Sequence, residues 1–173
     1  MPRRVSSQFL RGVTGTMSEP MVDIRDASID DAATIAEFNA ALASESEDKS
    51  LDRSVLESGV RRLLRDPVRG RYFIAESGGR MVGQTLITYE WSDWRDGWLW
   101  WIQSVYVHPD HRRTGVFRRL YGHIEALAKN SGEVVGIRLY VERENARAQD
   151  TYRSLGMRHT GYRVMETEFG SND

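Results

Sequence analysis

WIQSVYVHPDHRRTGVFRRLY, residues 101–121, holds a strand, a sharp turn and a helix start in unbroken succession, and the rest of the chain can be arranged around it. Val105-Tyr106-Val107 is β-branched and aromatic, and Pro109-Asp110 cannot continue a ladder, so the strand ends near His108. From Val116 the apolar residues Val116, Leu120, Ile124, Leu127 and Ala128 recur along one helical face, with Arg118, Arg119, His123, Glu125 and Lys129 around the other sides. Asn130-Ser131-Gly132 ends the helix. Between strand and helix lies His111-Arg112-Arg113-Thr114-Gly115, where the first helical turn leaves N–H groups without partners and attracts anions. Gly115 permits positive φ and close backbone approach, while Arg112 and Arg113 add fork-shaped donors suited to phosphate oxygens. The loop therefore reads as a pyrophosphate cradle. It is not a P-loop, because no Gly-Lys-Ser/Thr follows, nor a dinucleotide fingerprint, because two of the three glycines are missing. Taken alone, it reads equally well as a basic, solvated helix cap.

Arg112-x-x-Gly115-x-Phe117 after a Val-Tyr-Val strand resembles the acyl-coenzyme A signature of the GNAT N-acetyltransferase superfamily, Gln/Arg-x-x-Gly-x-Gly/Ala. Asn145, Ala148, Tyr152, Gly156 and Met157 then fall at the spacing of that family's Asn-x-x-Ala-x-x-x-Tyr-x-x-x-Gly-Phe segment. The two matches stand in the right order, and the resemblance runs roughly from Met21 to Phe169. Phe117 departs from the pattern. Either the loop approaches the pyrophosphate less closely there, or the ring covers the pantetheine arm.

The resemblance implies an α+β fold: a central mixed, largely antiparallel twisted sheet with splayed central parallel strands and flanking helices. It also implies direct transfer of an acetyl group from acetyl-CoA, as co-substrate and without a metal, to an amine of a small molecule or peptide. The backbone of Arg112, Arg113, Thr114, Gly115, Val116 and Phe117 would hold the pyrophosphate. Val105, Tyr106 and Val107 would carry the pantetheine along the strand, with the main chains of Val105 and Val107 bonding it. Asn145 would touch the same arm, although an N-cap explains that residue nearly as well. Tyr152 matches the family's general acid for the departing thiolate; outside the motif it reads as a core-facing tyrosine. Many relatives carry a glutamate ahead of the Val-Tyr-Val run, but here Trp101-Ile102-Gln103-Ser104 offers only Gln103, which cannot usefully accept a proton. The nearest carboxylate upstream is Glu90. It is the expected proton acceptor, directly or through one water, with Gln103 orienting that water or the acceptor. An exposed strand-end charge is an equal reading of Glu90.

Composition agrees with one domain, over residues 21–173. A chain of 173 residues can bury a substantial core, and its net charge of −1 argues against a general nucleic-acid binder. There is no cysteine, hence no disulfide framework or thiolate nucleophile, and a reducing cytoplasm is the expected setting. No apolar run reaches the ~18–20 residues a membrane-spanning helix needs. Residues 1–20 carry Arg3, Arg4, Arg11, Ser6 and Ser7 with no acid before Glu19, which reads as a disordered extension or an upstream start, with Met17 or Met21 as the true one. A homodimer is compatible with all of this. The alternative function is a catalytically weak acyl-CoA-binding or regulatory domain on the same fold.

Along the remaining chain, Val22-Asp23-Ile24-Arg25 alternates as a first strand, Asp30 or Asp31 caps a helix, and Ala32–Ala43 carries Ile35, Phe38 and Leu42 on it. Ser44–Lys49 is acidic and reads as a flexible joint to a second helix, which Asp66-Pro67 breaks. Tyr72–Glu76 and Met81–Tyr89 flank a Ser77-Gly78-Gly79-Arg80 turn as a hairpin. Trp91, Trp94, Trp98, Trp100 and Trp101 are then interleaved with Glu90, Asp93 and Asp96, a mixture of aromatic faces and carboxylates that suits a cationic amine; taken singly, Trp98, Trp100 and Trp101 read rather as core or strand residues and the acids as a solvated turn. Gly136–Val141 reads as a strand parallel to Trp101–Val107. A short helix follows from Asn145 to about Ser154, then a final strand over Gly161–Phe169.

Overall fold

Alternation along two long strands decides which helix covers which face of the sheet. The computed structural model describes residues 21–167 and 169, and the extension expected over residues 1–20 lies outside them. Its strands are β1 (Val22–Asp26), β2 (Arg71–Ser77), β3 (Arg80–Ser92), β4 (Gly97–Val107) and β5 (Val134–Leu139). They lie side by side in chain order. The first three pairings are antiparallel, and β4–β5 is parallel. The fold is α+β, a mixed sheet with four helices: α1 (Ala32–Glu47), α2 (Arg53–Leu64), α3 (Val116–Ser131) and α4 (Ala146–Ser154). No helix among the described residues is long and apolar enough to cross a membrane.

One face of the sheet buries Phe73, Ala75, Ile87, Trp100 and Ile102 against Val116, Leu120, Tyr121, Ile124 and Ala128 of α3. Each such aliphatic side chain contributes about 1.5–3 kcal/mol when fully buried. The opposite face presents Tyr72, Ile74 and Leu86 to Ala32, Ile35 and Ala36 of α1 and Val60 of α2. Gly83 brings α3 close. A Cβ there would lie 3.0 Å from Val116 Cγ1 and 3.2 Å from Tyr106 O. The turn between β3 and β4 at Asp93–Arg95 makes a second hairpin of the tryptophan-rich stretch.

Two expectations about elements change. Ser44-Glu45-Ser46-Glu47 is not a flexible joint; α1 continues through Glu47. Glu45 has a fixed partner there, because Arg112 Nη2 donates to its Oε2 at 2.6 Å, so local acidity is offset by a distant arginine. Nor do the described residues of Gly161–Phe169 form a strand. The described residues 161–167 have no ladder partner, and alternation becomes a strand only when an edge pairs with it. Asp31 does precede α1, but its carboxylate serves elsewhere: it accepts from Arg25 Nη1 and Nη2, each at 2.8 Å, and from the Ser28 N–H at 2.7 Å. The N-cap of α2 is Asp52, which accepts from Ser54 N and Val55 N.

The Arg25 hydrogen bonds hold Asp31 down from 3.8 to about 2, with burial opposing and Ser28 assisting. A depressed folded-state pKa stabilises above the unfolded value and loses that contribution as pH falls through the folded one. Wild-type stability should therefore decline between about pH 4 and 2 by more than that of Asp31→Asn. At pH 7 the variant should lose about 1 kcal/mol, allowing for solvent screening of the half-exposed Arg25. Urea unfolding at a series of pH values measures both.

Candidate active site

β4 and β5 part company. Their last parallel pair is Ile102↔Leu139, where β5 ends, yet β4 runs on to Val107. Between Gln84↔Tyr106 and Leu86↔Gln103 the register slips, so Ser104 and Val105 stand opposite Thr85 alone, and Ser104 adopts φ 49°. This is a β-bulge, which bends its strand and leaves a residue outside the ladder. Val105 and Val107 pack towards the α3 core, whereas Tyr106 turns to α1, its ring 4.8 Å from Phe38. The main chain from Gln103 to Val107 thus faces a gap on the side where β5 would have continued.

At the end of the gap stands the start of α3. Arg113 (φ 68°) and Gly115 (φ 85°) both take left-handed conformations, the kind of turn that can present main-chain N–H groups to an anion. The backbone N–H groups of Arg113 to Arg118 have no hydrogen-bond acceptor among the described residues, the next amide being the first to bond back, Arg119 N to Gly115 O at 3.1 Å. Thr114 Oγ1 donates to His111 O at 2.7 Å and fixes the turn. Arg112, expected to fork onto phosphate, has other partners. Its Nε donates to Val107 O at 2.9 Å, its Nη2 to Glu45, and its guanidinium lies 5.5 Å from the centre of the Tyr106 ring. Tyr106 also donates to Glu45 Oε1, at 3.1 Å. The guanidinium therefore ties the end of β4 to the last turn of α1.

α4 supplies the opposite wall. The Tyr152 ring meets Phe117 edge-on at 5.5 Å, so the bulky residue in the loop signature packs on the tyrosine. Arg118 Nη2 donates to Ser154 Oγ at 3.3 Å, and Leu155 and Met157 pack against the α3 core. Burial raises the Tyr152 pKa, so the phenol stays protonated at neutral pH and can donate. Asn145 Oδ1 accepts from Ala148 N at 3.0 Å and is the N-cap of α4.

On the other side of the sheet, Gln103 Nε2 donates to Thr88 Oγ1 at 2.6 Å. Glu90 lies on the same face. Its Oε2 accepts from Trp101 Nε1, and Arg138 Nη1 reaches Oε1 at 3.1 Å and Oε2 at 3.2 Å. Arg138 also sits 5.6 Å from the Trp101 ring centre, and Tyr140 stacks on Trp101 at 4.5 Å. The aromatic-and-acid cluster expected to hold a cationic amine is thus occupied at Trp101 and Glu90 by an arginine of the chain itself. Trp91 and Trp98 face the opposite side, edge to face with each other, and Trp94 is exposed on the turn. Sequence reasoning missed Arg138 and Glu45. The signals were a lone charge within an apolar strand, and the two-turn spacing that puts Glu45 on the face of Phe38.

A mixed sheet in which β4 parts from its parallel neighbour β5, with a helix start facing the gap, defines the α+β architecture of this chain. The chain belongs to the acetyltransferase (GNAT) family, whose model matches residues 35–157. No curated protein matches the sequence. Among solved structures, a possible acetyltransferase from Clostridium difficile 630 is 45% identical with a TM-score of 0.81, over 87% of this chain and 99% of that one. Two more distant structures share the fold. A "predicted acetyltransferase with acetyl-CoA" from Clostridium acetobutylicum is 17% identical (TM-score 0.71, 85% and 96% coverage). The ribosomal-protein-alanine N-acetyltransferase of Brucella melitensis biovar Abortus 2308 is 19% identical (TM-score 0.70, 87% and 100%).

Gly115 gives a clean test of the loop. A Cβ there would meet nothing within 4 Å, so any cost of Gly115→Ala comes from its φ alone. Holding an L-residue in that region costs about 1–2 kcal/mol. The urea midpoint of the variant should fall accordingly; an unchanged midpoint would mean that the loop has another conformation in solution.

Proposed function

We propose that this protein transfers the acetyl group of acetyl-CoA to an amine of a small molecule or peptide, in the cytoplasm. The observation that carries the reading is the run of unpartnered N–H groups from Arg113 to Arg118 at the mouth of the β4–β5 gap. Such a run suits a pyrophosphate, with the amides of Arg113, Thr114, Gly115, Val116 and Phe117 donating to it. Arg112 acts at one remove, by holding the end of β4 through Val107. The edge of β4 beyond the last β5 pair suits the amide groups of a pantetheine arm at Val105 and at the Val107 N–H, the Val107 carbonyl being held by Arg112; the arm would lie beside Tyr106 and end near the bulge. Asn145 borders that arm while its side chain caps α4.

In the transfer the amine nitrogen bonds to the acetyl carbonyl carbon, the carbon–sulfur bond breaks, the amine gives up a proton and the thiolate gains one. Tyr152, protonated and on the α3 side, is the donor to sulfur. The amine arrives from the side of Gln103 and Glu90. An alkylammonium with pKa near ~10 is only about one part in a thousand neutral at pH 7, so a route for its proton is required. Glu90 takes that proton through a water that donates to Oε1, the oxygen with one acceptor site left, because Arg138 and Trp101 hold the rest of the carboxylate. Gln103, held by Thr88, orients the water or the amine. A domain that binds acyl-CoA without turnover is the second reading, and the hold of Arg138 and Trp101 on Glu90 is the observation in its favour.

Saturating acetyl-CoA, at a hundredfold excess over its dissociation constant, should stabilise the protein by about 2.7 kcal/mol, read as a rise in melting temperature. An amine panel with free-thiol detection should then find an acceptor, and Tyr152→Phe should slow the single-turnover rate roughly tenfold to a thousandfold with acetyl-CoA affinity nearly unchanged. Binding with no acceptor would favour the second reading, and no binding would refute both.

The role of Glu90 rests on a pH–rate profile. Glu90→Gln should lose rate most near neutral pH and recover in part towards pH 9, as the amine deprotonates unaided. A wild-type profile in the variant would remove Glu90 from the reaction.

A further inference from the structure

Arg138 stands opposite Trp101, one residue before β5 ends and the gap opens. Its guanidinium has five N–H donors in a rigid fork, of which Nη1 alone serves Glu90, at 3.1 and 3.2 Å. Nε and Nη2 have no hydrogen-bond partner among the described residues. These two nitrogens form the edge of a guanidinium whose parallel N–H groups match the two oxygens of a carboxylate. The side chain is 22% exposed, reachable yet partly withdrawn from water, where a charge-assisted bond counts for more than at an open surface.

Its partner has less to spare, since only Oε1 keeps an acceptor site, the one a water on the proton route would use. Glu90 accepts from Trp101 on one oxygen and from Arg138 on both, so an incoming cation would have to displace an arginine that is already seated. The other unused hydrogen bonds at this spot are donors. Beside them Trp101 and Tyr140 form a stacked shelf, 4.5 Å between ring centres, with Tyr140 57% exposed. Such a shelf suits the apolar or aromatic part of a ligand.

We propose that Arg138 anchors a carboxylate of the acceptor, so that the amine acetylated belongs to a molecule carrying both groups, as a free amino acid with an apolar or aromatic side chain does. This rests on the acetyl-transfer reading above. The shelf takes the side chain, the Nε–Nη2 edge takes the carboxylate, and the amine is left free to face Gln103 and the gap. Polyamines and aminoglycosides, which offer cations and no carboxylate, are disfavoured by the same arrangement.

The test compares phenylalanine, phenylalaninamide and phenethylamine, first by calorimetry on CoA-saturated protein and then by kcat/KM with acetyl-CoA. Phenylalanine should bind roughly tenfold to a hundredfold more tightly than either matched amine, the range expected of hydrogen bonds to a charged group. Arg138→Gln, which keeps a donor for Glu90 and so protects the fold, is read by calorimetry alone, because Arg138 also holds the proton acceptor: its affinity for phenylalanine should fall to that for the amide, and its affinities for the two amines should not change. Arg138→Lys should fall between. Equal binding of acid and amide by the wild type, no binding of any of the three, or an equal loss for all three in Arg138→Gln would overturn the proposal. Acetylation of amines with no advantage to the acid would sink the anchor and spare acetyl transfer. Arg138-dependent binding of phenylalanine without thiol release would spare the anchor and sink the transfer.

Discussion

The parting of β4 from β5 is the constraint on which the rest of the molecule depends. Parallel strands normally satisfy their main chains along their whole common length, because unpaired buried amides are costly. Here the pairing stops at Ile102↔Leu139 while β4 continues through a bulge at Ser104 to Val107. A row of main-chain groups is left open to whatever enters, and the first turn of α3 leaves a second set of donors at its end. The two sets belong to consecutive elements. One connection, His108 to Gly115, therefore sets the geometry of the whole site.

That geometry is held from both faces of the sheet. Behind it, α3 is pressed onto β3 because Gly83 has no side chain to keep Val116 away, and the apolar stripe from Val116 to Ala128 fixes the helix along its length. In front, α1 reaches over the end of β4. Phe38 packs on Tyr106, and Glu45 receives both Tyr106 and Arg112. Exposed ion pairs contribute little to stability, and the Glu45–Arg112 pair is more than a third exposed on both sides. Its consequence is positional, since Arg112 is also bound to Val107 O, the last main-chain acceptor of the strand.

Two arginines that look like ligands for an external anion differ in what they have left to give. Arg112 bonds inward with Nε and Nη2, and only Nη1 is unspent. Arg138 spends one nitrogen on Glu90 and keeps a whole edge. Phe117 makes a related point: its ring, at the last position of the loop signature, lies against Tyr152, and α4 is joined to the loop through that contact and through Arg118–Ser154.

What the sequence determined by itself was whatever short-range chemistry dictates. The β-branched run ending before Pro109, the helical stripe from Val116, Gly115 with its positive φ, the glycine turn at 77–80 and the Asn145 cap are each decided by residues within a few positions of one another. The family followed from two such local patterns in the right order. What only the tertiary structure decided was the set of partners brought together across the chain. Glu45 lies 67 residues from Arg112, and Glu90 lies 48 from Arg138. Neither pairing leaves a periodicity to read, and both change the meaning of the residue: an acidic stretch becomes helix, and an expected cation cage holds an internal arginine. The bulge at Ser104 was hidden for the same reason, since it is a mismatch of register between two strands. The alternating residues 161–167 show the converse. Their local pattern permits a strand, but a strand exists only where another edge accepts its hydrogen bonds, and that is a property of the assembled sheet.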